Sequence, residues 1–335
     1  MVQIEEAMKV ALLHRYPKNR IKETNAAFHH LEGKGIDVLT FKKFDRTGLI
    51  WKHIKSFLWI FYAPILVIGR GYETIYCDDS YPFYPAIIKI VCPKSKVIIR
   101  LGDFHLMYYF KGKLYDFLHF FEKITWMMVD GIIVISQAMA DKIAEETLRY
   151  CDVVLDPVDP KDFLPMGEYR SPYEPKRVMF HGLLTKNKNV DVLIQAARLL
   201  PEVDFMVVGG GPDFDRLMKI SPKNVIFPGW IPFRLISHYI ETSDIGVALR
   251  SDNPGNEYVV TSPFLQYGIM GKPCLVTRRK VFGDYKWQFS GADELVEKIK
   301  ELMKNPFEEG HKLKEYILEH HNAEKIAEEI WHILT

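Results

Sequence analysis

Three consecutive glycines follow a run of apolar residues in the second half of the sequence. Phe205 to Val208 has the composition of a buried strand, and Gly209, Gly210 and Gly211 come directly after it. Glycine lets backbone N–H groups approach a ligand closely, although the same residues also form an ordinary tight turn from strand to helix. Because the spacing is not G-x-G-x-x-G, a dinucleotide site is not indicated.

A second loop follows the predicted strand from Arg177 to Phe180, and it carries lysines. It contains Gly182, Lys186 and Lys188. At the carboxyl edge of a sheet, ammonium groups of this kind bind phosphate oxygens as point charges. A loop of solvated lysines is the alternative explanation, because lysine is mostly an exposed residue.

The start of a predicted helix near Ser262 is the third feature. A polar loop, Ser251 to Asn256, precedes it, and Ser262 and Pro263 have the types preferred at the N-cap and the first helical position. Free N–H groups at a helix N-terminus attract anions, although an ordinarily capped helix has the same sequence. If the strands before the three loops belong to one parallel sheet, all three loops end on one edge. Together they would offer the donors that a nucleotide diphosphate group needs.

Strands and helices alternate along both halves of the chain. This pattern is typical of parallel, doubly wound α/β sheets, in which ligands bind beyond the carboxyl ends of the strands. Prolines are concentrated between Asp156 and Lys176, which indicates a linker. We therefore predict a first domain at residues 1–155, a linker at 156–176 and a second domain from residue 177, with the site in the cleft between them.

Composition limits the classes of protein to consider. The 335 residues are 48% hydrophobic and 26% charged, which excludes a disordered chain. With 44 basic and 43 acidic residues, broad electrostatic binding of nucleic acid is not expected. The four cysteines stand far apart and indicate neither a zinc site nor a disulfide scaffold. No signal peptide and no apolar run long enough to span a membrane are visible, so we expect a cytoplasmic protein.

Several segments follow one another in an order and spacing that is specific. They are Asp130 to Ser136, Leu155 to Pro165, His181 to Ala196, Gly209 to Pro212, Asn224 to Ile231, Thr242 to Val247 and Gln266 to Pro273. In this order they resemble the retaining glycosyltransferases of the GT-B fold, particularly glycosyltransferase family 4 (glycosyl transferases group 1). The resemblance implies an α/β fold of two Rossmann-like domains facing across a cleft. It also implies that the second domain ends near residue 319 and that a C-terminal helix, residues 320–335, returns to the first.

The resemblance also assigns roles to single residues. Lys188 aligns with the lysine that contacts the donor diphosphate, and Trp230 and Ile231 align with the segment whose backbone recognises the nucleobase. Glu257 lies near the acid that contacts the donor sugar, and Gln266 aligns with the residue that binds the ribose hydroxyls. The other predicted donor-binding residues are Arg15, Gly182, Lys186, Gly209, Gly210, Gly211, Thr261 and Ser262.

Two positions depart from the family pattern. Leu183 stands where the family has a diphosphate-binding arginine, and Gln266 replaces a glutamate. Arg15 or Lys18, in the loop after the first predicted strand, would supply the charge missing at Leu183. These departures introduce a second hypothesis, a catalytically degraded sugar-nucleotide-binding partner subunit. A non-hydrolysing sugar-nucleotide epimerase, which shares the fold, is the third.

The implied activity is that of a hexosyltransferase-type glycosyltransferase that uses a UDP- or GDP-linked sugar. The sugar would pass with retention to a glycan, glycolipid or lipid-linked acceptor, and the departing phosphate would take the acceptor's proton. Asp103, His105 and Glu257 are the predicted catalytic residues, with Asp103 or His105 orienting the acceptor hydroxyl. The resemblance implies no required metal, and no other cofactor is expected.

Two segments that we predict to be helices, residues 51–62 and 113–128, are rich in aromatic residues and also carry lysines. Ordinary core packing is one explanation of these aromatic side chains. The other is a peripheral contact with an anionic membrane on its cytoplasmic face.

Overall fold

The computed structural model describes residues 8–14, 26–40, 49–78, 83–164, 167 and 176–335, with the backbone alone at residues 49–56. The chain divides into two compact units. The first comprises Met1–Pro157 together with Ala323–Thr335, and the second comprises Val158–Asn322.

Buried apolar runs form the strands of the first unit, and longer segments between them form its helices. The strands are β1 (Val10–His14), β2 (Asp37–Thr40), β3 (Thr74–Asp78), β4 (Lys96–Leu101), β5 (Gly131–Val134) and β6 (Asp152–Val153). The helices are α1 (Phe28–Glu32), α2 (Leu49–Val67), α3 (Tyr84–Val91), α4 (His105–Tyr109), α5 (Gly112–Met128) and α6 (Gln137–Thr147).

In the described residues, these strands form one sheet in the order β2-β1-β3-β4-β5-β6, with every pair parallel. Helices α2, α3, α5 and α6 pack side by side in that sequence. Residues at alternate positions of the strands, such as Leu12, Tyr76 and Ile133, lie on one face of the sheet and pack on Phe28 of α1. Burial on both faces explains why these strands are nearly continuous apolar runs.

The second unit repeats the alternation. Its strands are β7 (Arg177–His181), β8 (Asp204–Val208), β9 (Val225–Gly229), β10 (Ile245–Ala248), β11 (Cys274–Thr277) and β12 (Gln288–Phe289). Its helices are α7 (Asp191–Leu199), α8 (Phe214–Ile220), α9 (Ile236–Glu241), α10 (Ser262–Ile269), α11 (Ala292–Leu302) and α12 (Pro306–His320). The sheet is parallel throughout, in the order β12-β11-β10-β7-β8-β9.

One more helix, α13 (Ala323–Leu334), follows the second unit in sequence but packs in the first. Its residues Ile326 and Ile330 join Phe28 of α1 in one buried cluster. The Thr74 hydroxyl of β3 donates a hydrogen bond of 3.0 Å to the carbonyl oxygen of Leu334. The first unit is thus built from two separate stretches of sequence.

Candidate functional site

A pocket of about 390 Å³ lies within the second unit, at the carboxyl ends of its strands. Loops after β7, β8 and β9 meet there with the start of α10, because the carboxyl ends of parallel strands share one edge. Eight of the residues predicted to bind the donor line it: Gly182, Lys188, Gly209, Gly210, Trp230, Ile231, Ser262 and Gln266. Lys186, Gly211, Thr261 and Glu257 are not among the lining residues.

The glycine turn after β8 is interlocked with the loop after β7. Gly182 N–H donates to the Val208 carbonyl at 3.0 Å, and Leu184 N–H donates to the Gly210 carbonyl at 2.9 Å. A Cβ atom added at Gly209 would lie 1.9 Å from the carbonyl oxygen of Gly182. Gly209 has a φ of 140°, which also favours glycine. The Gly209 N–H already donates a hydrogen bond of 2.9 Å to the Gly229 carbonyl, so it is not available to a ligand. Gly209 therefore serves the tight turn.

The two predicted lysines of the loop after β7 occupy different environments. They form a short 3₁₀ helix, Lys186–Lys188, which Asn189 ends in the left-handed conformation. Lys186 is exposed, whereas Lys188 is half-buried and lines the pocket. Among the described residues, no carboxylate pairs with Lys188. Lys188 therefore presents to the pocket an amino group that has no counter-ion among these residues.

A hydrogen-bonded brace fixes the loop that carries Lys188. Ser251 Oγ donates to Asn187 Oδ1 at 2.6 Å, and Ser251 N–H donates to the Asn187 carbonyl at 2.9 Å. Asn256, which is fully buried, donates through Nδ2 to Asn187 Oδ1 and to the Ser251 carbonyl, at 3.2 Å and 2.9 Å. The polar loop predicted as a ligand contact does not line the pocket, and it instead holds the loop of Lys188 in place.

The start of α10 differs from its prediction by one residue. Thr261 occupies the N-cap, so Ser262 is the first helical residue and Pro263 the second. The Thr261 side chain is buried and makes no capping hydrogen bond. Sequence favoured Ser262 because serine before proline is a common helix start, but proline is also accepted one position later. Ser262, Pro263 and Gln266 line the pocket.

One side of the pocket is apolar. Trp230 and Ile231 follow β9, and Phe233 and Ile236 extend the same side. The Trp230 side chain is 76% exposed, so its ring is available to a planar group. Leu183, at the position where the family pattern has an arginine, is also exposed and lines the pocket.

The charges near Lys188 have the same sign. Burial, and then the charge of Arg250, lower the pKa of the Lys188 ammonium to about 7. Burial, and then the charge of Lys188, lower the pKa of His181 to about 3, so this imidazole is neutral at physiological pH. A low-dielectric site with two neighbouring cations favours an anionic ligand. Arg250 and His181 were not among the residues predicted from the sequence.

Glu257 makes its contacts away from the pocket lining. Its Oε2 accepts a hydrogen bond of 3.0 Å from the Lys280 N–H, and its Oε1 lies 3.7 Å from Arg279 Nε. Arg279 in turn donates to the Arg250 carbonyl at 3.0 Å. In this structure the Glu257 carboxylate therefore joins the segment after β11 to the segment after β10.

The predicted acceptor residues belong to the first unit. Asp103 and His105 follow β4, with His105 Nδ1 at 3.9 Å from Asp103 Oδ1. The His105 ring packs on Tyr109, with 4.8 Å between centroids. Arg15 and Lys18 lie outside the described residues.

In the part of the chain that the structure describes, no group of three or more His, Cys, Asp or Glu side chains is arranged to hold a metal ion. No helix among the described residues is both long and apolar enough to cross a bilayer.

Solved structures share this architecture at low sequence identity. Sucrose-phosphate synthase from Thermosynechococcus elongatus superposes with a TM-score of 0.77 at 13% identity, over 97% of this chain and 98% of that one. HepE from Anabaena, in complex with UDP and glucose, gives 0.70 at 14% identity, over 98% and 99%. The lipopolysaccharide outer core galactosyltransferase WaaB gives 0.67 at 13% identity, over 95% and 97%.

Sequence comparison adds a match that is confined to the second half. A search of curated protein sequences finds no significant match. Residues 166–320 match the family model described as Glycosyl transferases group 1, and this range includes the entire pocket. Residues 166–320 are therefore similar to the glycosyl transferases group 1 family, within a fold that matches GT-B glycosyltransferase structures.

Proposed function

We propose that the chain is a glycosyltransferase whose second unit binds a nucleotide-activated sugar in the pocket beside Lys188. The observation that carries the proposal is the half-buried Lys188 ammonium, which no carboxylate among the described residues neutralises and which Arg250 faces. A diphosphate supplies the missing negative charge, and the side formed by Trp230 and Ile231 suits a nucleobase. UDP in the HepE complex supports a UDP-linked donor, with a GDP-linked donor as the alternative.

The proposed reaction is transfer with retention, as in glycosyltransferase family 4. The bond from the sugar's anomeric carbon to the diphosphate oxygen breaks, and a bond to the acceptor oxygen forms on the same face. The departing phosphate oxygen takes the acceptor's proton. Lys188 stabilises the charge that develops on the leaving diphosphate, which is the main catalytic contribution expected from a preorganised cation. The His181 imidazole is neutral, so it adds no positive charge beside Lys188.

The proposed acceptor is a hydroxyl of a glycan, glycolipid or lipid-linked sugar, and the transferred group is a hexose. The similarity to WaaB, a lipopolysaccharide outer core galactosyltransferase, supports this class. Asp103 and His105 would orient that hydroxyl, and Glu257 would act on the donor sugar only if it left Arg279. We assign charge stabilisation to Lys188 and the backbone rather than to a metal, so the activity should survive treatment with EDTA.

Calorimetric titration of UDP and GDP tests the donor site. Lys188→Ala should weaken the preferred nucleotide by about 1.5–3 kcal/mol, the range for a hydrogen bond to a charged group. Lys186→Ala is the matched control, because Lys186 belongs to the same 3₁₀ helix but is exposed outside the pocket. Equal losses in the two variants, or no loss in either, would reject the site.

Leu183 supports one other function. An exposed leucine at the pocket, in place of a cation, fits a partner subunit that binds the sugar nucleotide without using it. Proton NMR of the donor with candidate acceptors separates the two functions. A product with the donor's anomeric configuration supports the transferase, whereas binding without donor hydrolysis or transfer supports the partner subunit.

A further inference from the structure

Helix α5 in the first unit has its polarity reversed. Its buried side chains include His119, Glu122 and Thr125, which are polar or charged. Its exposed side chains include large apolar ones: Leu114, Phe117, Phe120, Phe121 and Met127. A helix on the surface of a globular protein normally shows the opposite arrangement.

A contact from His119 to α6 fixes this orientation. His119 Nδ1 lies 2.7 Å from Glu122 Oε2, and His119 Nε2 lies 2.6 Å from Glu146 Oε2 on α6. Burial alone lowers the pKa of His119, but Glu122 and Glu146 outweigh it and raise the pKa. Turning α5 over would place its aromatic residues against the core, but it would also break the contact between His119 and Glu146. The apolar side is therefore held outward by the fold.

Helix α2 contributes a second apolar stripe. Trp59, Ala63 and Val67 are buried, whereas Phe61 and Ile65 are exposed. At about 3.6 residues per turn, these two sets lie on opposite sides of the helix. Phe57 and Ile68 extend the exposed set. Helix α2 therefore packs into the core with one side and presents an exposed apolar stripe on the other.

Helix α3 connects the two stripes. It packs against α2 on one side and α5 on the other, and its Ile90 and Val91 are exposed. The exposed apolar side chains of α2, α3 and α5 form what we call the aromatic face. Scattered exposed apolar residues are ordinary, but a group spread over three adjacent helices indicates an interaction surface.

Charge identifies the partner of the aromatic face. Lys111 and Lys113 are exposed, and Lys123 is half-buried. Among the described residues of these three helices, Asp116 is the one exposed carboxylate. A symmetric contact with a second copy would bring two surfaces of the same net positive charge together, which disfavours self-association. Aromatic side chains bordered by lysines fit the interface of an anionic bilayer.

We propose that the aromatic face docks on an anionic lipid surface, with its phenylalanines at the level of the acyl boundary and its lysines at the lipid phosphates. This inference goes beyond the proposed function and does not rest on it, because its residues belong to the first unit and the donor pocket to the second. It requires no spanning helix, since interfacial binding depends on buried apolar area and attraction to anionic headgroups.

Co-sedimentation with vesicles tests the proposal. The full chain should bind vesicles of phosphatidylcholine with phosphatidylglycerol and bind pure phosphatidylcholine more weakly. The double variant Phe61→Ser/Phe117→Ser should bind the anionic vesicles at least about tenfold more weakly. Lys111→Glu/Lys113→Glu should lose the preference for anionic vesicles. Phe307→Ser is the matched control, because Phe307 is 85% exposed but lies on the second unit, and it should bind like the wild type.

No binding of the wild type to anionic vesicles would overturn the proposal, and so would unchanged binding of the phenylalanine double variant. A wild-type dimer in light scattering that the double variant loses would overturn it in favour of a second copy. If the double variant unfolds at a lower temperature, Phe117→Cys carrying an environment-sensitive dye replaces it. Its emission should shift to the blue on anionic vesicles, and an unchanged emission would count against docking.

Discussion

Binding of the donor should draw a proton from solution, because Lys188 changes its protonation state. In the free protein the pKa of Lys188 is lowered to about 7, by burial first and by Arg250 second. A diphosphate beside the ammonium raises that pKa again. About half of the molecules must therefore take up a proton on binding at pH 7, about a tenth at pH 6 and about nine tenths at pH 8. Above pH 8 the affinity should fall by about tenfold per pH unit.

Calorimetry in buffers of different ionisation enthalpy measures this uptake directly. The ligand should be a nucleotide sugar, because its diphosphate carries no terminal phosphate that titrates near neutrality. His181 does not contribute over this range, since burial and Lys188 lower its pKa to about 3. The observed enthalpy should therefore depend on the buffer at pH 8 more than at pH 6.

Two variants at the same position sharpen the test. Lys188→Arg keeps its charge at every pH used, so it should bind without proton uptake and hold its affinity up to pH 9. Lys188→Met should bind weakly and also without uptake. The reasoning is refuted if either variant takes up as much proton as the wild type, since the proton would then go to another group.

Three further predictions concern the same pocket. Gly209→Ala should destabilise the protein by about 3 kcal/mol in urea unfolding, because its Cβ would overlap the Gly182 carbonyl, whereas Gly210→Ala should cost less than about 1 kcal/mol. Leu183→Arg should tighten nucleotide binding by about tenfold in calorimetry by adding a charged contact, and Leu183→Gln should not. Lys188→Met should stabilise the free protein by about 1–3 kcal/mol at pH 6. Folding lowers the Lys188 pKa, so the stability of the wild type rises with pH from about 7 to 10.5. The advantage of Lys188→Met over the wild type should therefore disappear by pH 10.5. A difference in stability that does not depend on pH would contradict this prediction.

Elements with a strong period were predictable from the sequence. The helix expected at residues 113–128 is α5, Gly112–Met128, and the strand expected at residues 205–208 is β8, Asp204–Val208. The apolar run of β8 is buried, whereas α5 shows helical spacing in Leu114, Phe117 and Phe121 although these side chains are exposed. Helix α4, His105–Tyr109, was not predicted, since its five residues are too few to show a period.

The proximity of the two cations Lys188 and Arg250 was not predictable from the sequence. The two residues come from the loops after β7 and β10, which are neighbours in the sheet although two strands separate them in the sequence. The sequence shows where each strand ends but not which strands lie side by side. His181 was not predictable either, because its burial and its position beside Lys188 follow from the fold and leave no local pattern in the sequence.

The return of α13 to the first unit has a consequence for protein synthesis. The ribosome completes all of Val158–Asn322 before Ala323 leaves it, so the second unit has its entire sequence while the first still lacks a helix. Until then the apolar residues that meet Ile326 and Ile330 have no cover, and Thr74 lacks its acceptor at Leu334. The half of the chain that is made first is therefore the half that completes its fold last, and its uncovered apolar residues are prone to aggregation until then.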